Sequence, residues 1–123
     1  MQRRLAGVLN ADLVGYSRLM SKDEAGTLTT LKAYEIGVID PTVAKHRGRI
    51  VKRMGDGYLA EFASVVDAVE CALAWQCQAP AEGDRPLRFR IGVHLGDIIA
   101  EGEDIYGDGV NIASRLETLS QPG

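Results

Sequence analysis

The stretch Arg49–Phe62, RIVKRMGDGYLAEF, decides the fold. Ile50, Val51 and Met54 precede Gly55-Asp56-Gly57, and Tyr58, Leu59 and Phe62 follow it. These are strand-forming residues on both sides of an Asp-Gly pair, the strongest short-range signal for a β-hairpin. The turn puts a carboxylate, Asp56, at its tip. A second carboxylate, Asp12, lies in LNADLVGYS at the end of an apolar run, just before Gly15. Two strands can therefore each bring an acid to one edge of a sheet. A hard divalent cation that also holds phosphate oxygens needs one or two such carboxylates. An Asp-Gly turn requires no chemistry on its own, and it is Asp12 that gives Asp56 a functional reading.

The 123 residues suit one domain with a real core. A 46% hydrophobic and 25% charged composition argues against disorder, and a net charge of -3 offers no basic surplus for nucleic acid or an anionic membrane. An anionic substrate would have to be met by local cations or metal. Cys71 and Cys77 stand six apart on one expected helix and so on different faces, which excludes a mutual disulfide and a metal clasp. Reduced thiols and a cytoplasmic location are the expectation. Met1-Gln2-Arg3-Arg4 is basic like the start of a signal peptide, but Asn10 and Asp12 break the apolar run behind it, and no segment has membrane length.

Leu5–Val14 reads as a buried central strand ending near Asp12. Ser21-Lys22-Asp23-Glu24 fits a capping box, opening a helix with Leu28, Leu31, Ala33, Ile36 and Ile39. Asp40-Pro41 predicts a break, then a short helix stopped by Gly48. After the hairpin, Ser64-Val65-Val66-Asp67 starts a helix that has Val66, Val69, Leu73 and Cys77 on one face, with Trp75 and the two cysteines read as helix packing. Residues 79–86 form a polar loop. Leu87–Leu95 alternates, with Phe89, Ile91, Val93 and Leu95 on one side and Arg88, Arg90 and His94 on the other. Gly96-Asp97 predicts a turn into Ile98-Ile99-Ala100, and residues 108–119 a final helix. This order, β-α-β-β-α-β plus an extra hairpin and a C-terminal helix, predicts an α+β domain of ferredoxin-like architecture, with helices on one face of an antiparallel sheet.

Four stretches carry a resemblance: ADLVGYSRLM from Ala11, VKRMGDGYLAEF from Val51, RIGVHLGD from Arg90 and EDIYGDGVNIASRLE from Glu103. Together they resemble the class III nucleotide cyclase catalytic domain, close to the bacterial adenylate cyclases, over almost the whole chain. The resemblance implies that Asp12 and Asp56 bind two divalent cations, Mg2+ or Mn2+, that Lys52 and Asp104 select adenine, and that Asn111 and Arg115 hold the ribose and the α-phosphate. Backbone amides over Val14, Gly15 and Tyr16 could cradle the terminal phosphates as an anion nest. The implied reaction is attack of the ATP 3'-hydroxyl on the α-phosphorus, giving 3',5'-cyclic AMP and pyrophosphate for intracellular signalling.

Residue chemistry agrees with these positions. Adenine offers an acceptor at N1 and a donor at N6, which an ammonium and a carboxylate complement, whereas guanine reverses that pattern. Asn111 and Arg115 are one helical turn apart and point the same way. The family splits each site across an antiparallel dimer, so a homodimer with two composite sites is implied.

The same resemblance marks residues 1–123 as one catalytic domain that is incomplete at its C-terminal end. The family's domain continues with strands and a phosphate-binding lysine, so weak or no turnover is expected of the fragment. A longer natural chain would have room for a regulatory domain. The rival reading is an inactive cyclase-like module that dimerises or binds nucleotide. A diguanylate cyclase is disfavoured, because its hairpin signature of two glycines and an acidic pair is absent. Solvated or packing roles are expected for His46, His94, Arg88 and Arg90.

Overall fold

The computed structural model describes residues 2–54, 57–78, 87–101 and 104–106. Five strands form one antiparallel sheet: β1 (Gln2–Leu13), β2 (Gly48–Met54), β3 (Gly57–Phe62), β4 (Phe89–Glu101) and β5 (Asp104–Tyr106), in the spatial order β2-β3-β1-β4-β5. The first four strands stand in the ferredoxin-like order expected from the sequence. The helices are α1 (Tyr16–Lys22), α2 (Glu24–Tyr34), α3 (Asp40–Lys45) and α4 (Val65–Cys77), with a π-helical segment, Glu35–Ile39, between α2 and α3. No described helix is long and apolar enough to cross a membrane.

Strand β1 is central because both of its edges are paired, Gly7–Asp12 with β3 and Gln2–Leu13 with β4. Alternation along it separates two faces. Leu9, Ala11 and Leu13 join Tyr58, Ala60, Phe62 and Phe89 in the main core, against Leu31 and Tyr34 of α2 and Ala68, Cys71 and Trp75 of α4. Ala6 and Val8, with Leu59 and Ile98, belong to the other face. Aromatic rings weld the main core together: Trp75 meets Phe89 edge-on at 5.3 Å, and Tyr34 stacks on Phe89 at 5.6 Å. At the end of β1 remote from Asp12, the buried Glu61 accepts from Arg4 through both oxygens at 2.6 Å and also pairs with Arg49, tying β1, β2 and β3 together.

Four local expectations change. The capping box at Ser21 is not used: α1 runs through it, and Asp23 caps α2 by accepting from the Gly26 amide at 3.0 Å. Of that helix's apolar residues, Leu31 and Ile39 are buried, but Leu28 and Ile36 are exposed. Asp40-Pro41 does not break the helix. Proline lacks the N–H that an α-helix would need there and its ring crowds the carbonyl four residues back, and the chain widens into a π turn closed by the Asp40 amide on the Glu35 carbonyl. Gly96-Asp97 is not a turn either. Gly96 pairs with Ala6 and Asp97 with Leu5, because β1 is long enough to hold β4 extended through Glu101, and the partner of Ile99–Glu101 is β5.

The fourth change concerns α4. Val66, Val69 and Leu73 are 59%, 43% and 61% exposed, and Cys77 is exposed too. The buried face is Ala68, Cys71 and Trp75, which has the same i, i+3, i+7 spacing. Both stripes satisfy helical periodicity, and the smaller residues won because α4 lies close on the sheet. A methyl on Gly7 would stand 2.7 Å from the Ser64 carbonyl oxygen and 3.2 Å from the Ala68 Cβ. Trp75 packs edge-on against Phe89 and Tyr58. Burial also pushes the Cys71 thiol up to about 12. A thiol reagent at pH 8 is therefore expected to label one cysteine per native chain, Cys77, with Cys71 reacting only in denaturant. Native labelling of Cys71 at a similar rate would reverse this orientation of α4.

Candidate functional site

The site is built where β1 ends. Asp12 is cross-strand partner to Gly57 on one side and to Arg90 on the other. Asp56 lies outside the described residues, but it is bonded to Gly57. An Asp carboxylate at a strand end is a hard oxygen donor of the kind Mg2+ and Mn2+ take. Among the described residues, no group of three or more His, Cys, Asp or Glu side chains gathers for a metal.

Beyond Asp12 the chain turns through Gly15, whose φ of 70° and ψ of 27° are left-handed, into α1. Gly15 serves there because a side chain is strained in that region. The turn and the neighbouring strand enclose a concavity of about 390 Å3 lined by Asp12, Leu13, Gly15, Tyr16, Ser17, Arg18 and Arg90. Gly15 and Tyr16 of the expected phosphate cradle line it. Val14 does not: its amide donates to the Arg88 carbonyl at 2.8 Å, fastening β1 to the approach of β4. The Val14 amide is thus already engaged within the sheet.

Arg90 was expected to be a solvated strand residue, yet it lines the concavity opposite Asp12. Arg18, on the first turns of α1, joins it. These two guanidinium groups give the site the local positive charge that the chain as a whole lacks. Sequence spacing could not find Arg90, since its nearness to Asp12 comes from the register of β1 and β4, which are 78 residues apart at that pair.

Lys52 is on the same sheet face as Asp12 and Arg90. It pairs with Leu59, and Leu59 pairs with Asn10, two residues before Asp12. Two interstrand steps put Lys52 about 10 Å from β1 across the sheet. Its orientation depends on a β-bulge. The register of β2 on β3 shifts between Ile50 and Lys52, so that Val51 and Lys52 together oppose Leu59. Asp104 opens β5 as the partner of Glu101. Asn111 and Arg115 lie outside the described residues.

Comparison with known proteins identifies the family. Residues 2–123 match the family described as "Adenylate and Guanylate cyclase catalytic domain". A Rhizobium meliloti (strain 1021) protein named "Putative adenylate cyclase 3" is 52% identical over 128 residues, covering 100% of this chain and 22% of its own length. An adenylate cyclase of Streptomyces coelicolor is 36% identical, over 98% of this chain and 31% of its own. Among solved structures, an adenylate/guanylate cyclase/hydrolase from Silicibacter pomeroyi superposes with a TM-score of 0.86 at 42% identity, covering 99% of this chain and 73% of that one. The fold and the site thus define a class III nucleotide cyclase catalytic domain. The chain belongs to the adenylate and guanylate cyclase catalytic domain family, and it spans less than a third of the length of these two sequence relatives.

Gly15 and Gly37 both have open space where a side chain would begin, but only Gly15 has a positive φ. Gly15→Ala is expected to lower the unfolding free energy by about 1–2 kcal/mol, and Gly37→Ala to leave it unchanged or raise it by up to about 1 kcal/mol. Urea denaturation of the two variants checks this; equal effects would mean that the left-handed turn is not kept in solution.

Proposed function

We propose that this domain is an adenylate cyclase, converting ATP to 3',5'-cyclic AMP and pyrophosphate. The observation that supports this best is the pairing of Asp12 with Gly57 and Arg90, which joins an acid, the residue bonded to Asp56, and a cation at one sheet edge. The relatives named as adenylate cyclases point to the same substrate.

Asp12 and Asp56 would hold the two cations, which when bound lower the pKa of the ribose 3'-hydroxyl and neutralise triphosphate charge. The remaining work is done by the chain. Lys52 donates to adenine N1 and Asp104 accepts from the 6-amino group. Asn111 orients the ribose. Arg115 meets charge that builds on the α-phosphate as the 3'-oxygen attacks and the bond to the β-phosphate breaks. Arg90, with the Gly15 and Tyr16 amides, receives the departing pyrophosphate. A Glu in place of Lys52 would complement guanine instead, so the lysine disfavours GTP.

We infer further that the active form is an antiparallel homodimer in which Asp12 and Asp56 of one protomer face Lys52, Asp104, Asn111 and Arg115 of the other. The test uses radiolabelled ATP and GTP with Mn2+ or Mg2+ on a chain extended beyond Gly123. ATP should be cyclised in preference to GTP, and Asp56→Ala and Arg115→Ala should each lose about a hundredfold or more in kcat. Mixing these two inactive variants in equal amounts should restore about a quarter of wild-type activity, because half the dimers then carry one intact site. Absence of turnover in a chain that binds ATP would favour the inactive module, faster cyclisation of GTP would overturn the base assignment, and no recovery on mixing would overturn the composite site.

A further inference from the structure

Lys52 would face the helices if β2 ran regularly. Ile50 pairs with Ala60 on the helix side, so strict alternation would aim Val51 away from the helices and Lys52 back toward them. The extra residue at the bulge reverses this, turning Lys52 to the face of Asp12 and sending Arg53, the partner of Tyr58, to the helix side. A one-residue slip would exchange the two cations. What holds the bulged register is therefore a question about base recognition.

The helix side supplies an answer. The Arg53 Nε pairs with Glu35 at 2.7 Å, and its Nη2 donates to Asp40 at 2.7 Å. The Tyr58 hydroxyl donates to the other oxygen of Glu35 at 3.2 Å. The cross-strand pair Arg53–Tyr58 is thus fastened at both members to one carboxylate, immediately before the last hairpin pair, Met54–Gly57. Glu35 and Asp40 are five residues apart. In an α-helix that spacing turns side chains about 140° away from each other. Here the π turn between them bonds residue to residue at that same interval, so both carboxylates reach one guanidinium. The side chains of Glu35 and Tyr58 are largely buried, which shields this contact from solvent, while Arg53 and Asp40 are each about two-fifths exposed. Burial, and then the Glu35 charge, keep the Tyr58 phenol protonated at any ordinary pH, so it remains a donor.

We propose that Glu35, Asp40 and Arg53 form a clamp, built on the π turn, that locks the β2 bulge and so positions Lys52 for purine selection. Arg53 and Glu35 are positioning residues and touch no substrate. The inference rests on the reading of Lys52 as the base-selecting residue, and its test separates the two.

The measurement is equilibrium binding of 3'-deoxy-ATP and 3'-deoxy-GTP, which cannot cyclise, to the full chain with Mn2+. Glu35→Gln and Arg53→Met are expected to reduce the preference for the adenine nucleotide about tenfold. Lys52→Ala should reduce it at least as much. Combining Lys52→Ala with Arg53→Met should add nothing further, since both act through one side chain. Arg4→Met breaks a comparable ion pair at the far end of β1 and β3, and should leave the preference at the wild-type value whatever it costs in thermal stability. Tyr58→Phe, which removes a single hydrogen bond, provides a milder probe if Glu35→Gln folds poorly, with a loss of about threefold expected.

A preference that survives Lys52→Ala would refute the base-selection reading beneath the proposal. A preference lost with Lys52→Ala but unchanged in Glu35→Gln, Arg53→Met and Tyr58→Phe would overturn the clamp. An equal loss in Arg4→Met would reduce the clamp to a general stability effect and overturn it as well.

Discussion

Everything at the site depends on the two-sided pairing of β1. A strand with neighbours on both edges pairs the backbone donors and acceptors of each edge and cannot slip by one residue without turning each side chain to the wrong face. That constraint sends Leu9, Ala11 and Leu13 into the helix-covered core and leaves Asp12 on the opposite face. It also lines up Gly57 and Arg90 on either side of Asp12, so the acid, the hairpin turn and a guanidinium share one edge without any direct bond among them being required. The apolar side chains on one face of β1 thereby determine the position of the polar one on the other.

The two ends of the sheet are secured by different means. Far from the site, the buried Glu61 is held between Arg4 and Arg49 across three strands. A buried carboxylate that loses one such partner keeps its desolvation cost, so removing either arginine is costly. Near the site, the helix layer reaches down through Glu35 and Asp40 to Arg53 and Tyr58. Between these anchors lies the bulge at Val51-Lys52, where the strand departs from regular alternation. Bulges re-aim side chains at the cost of local pairing, and this one re-aims a lysine toward the face that carries Asp12.

Several devices here come from local backbone irregularity. Gly15 takes a left-handed conformation so that the chain can leave β1 and enter α1 within two residues, bringing its turn beside Asp12. Pro41 cannot donate to a helical hydrogen bond, and the resulting π turn brings Glu35 and Asp40 onto one side. Irregularities of this kind cost stability and persist when the surrounding packing holds them. In this domain the surroundings are the ring cluster of Tyr34, Tyr58, Trp75 and Phe89, which joins α2 and α4 to β3 and β4.

The residues alone determined the hairpin around Asp56, the central strand ending at Asp12, the alternation of Phe89, Ile91 and Val93, and hence the ferredoxin-like order, while four motif stretches carried the resemblance to the cyclase family. These features are encoded within a few residues of one another, by turn chemistry and a period of two. Tertiary structure decided which stripe of α4 is buried, since Val66-Val69-Leu73 and Ala68-Cys71-Trp75 have equal periodicity and only the close approach of the helix at Gly7 distinguishes them. It decided that β4 continues through Gly96-Asp97, because the length of β1 outweighs a local turn signal. It also joined Arg90 to Asp12 and turned Lys52 rather than Arg53 to their face. Register between distant strands is a property of the assembled sheet, and no short window of sequence contains it.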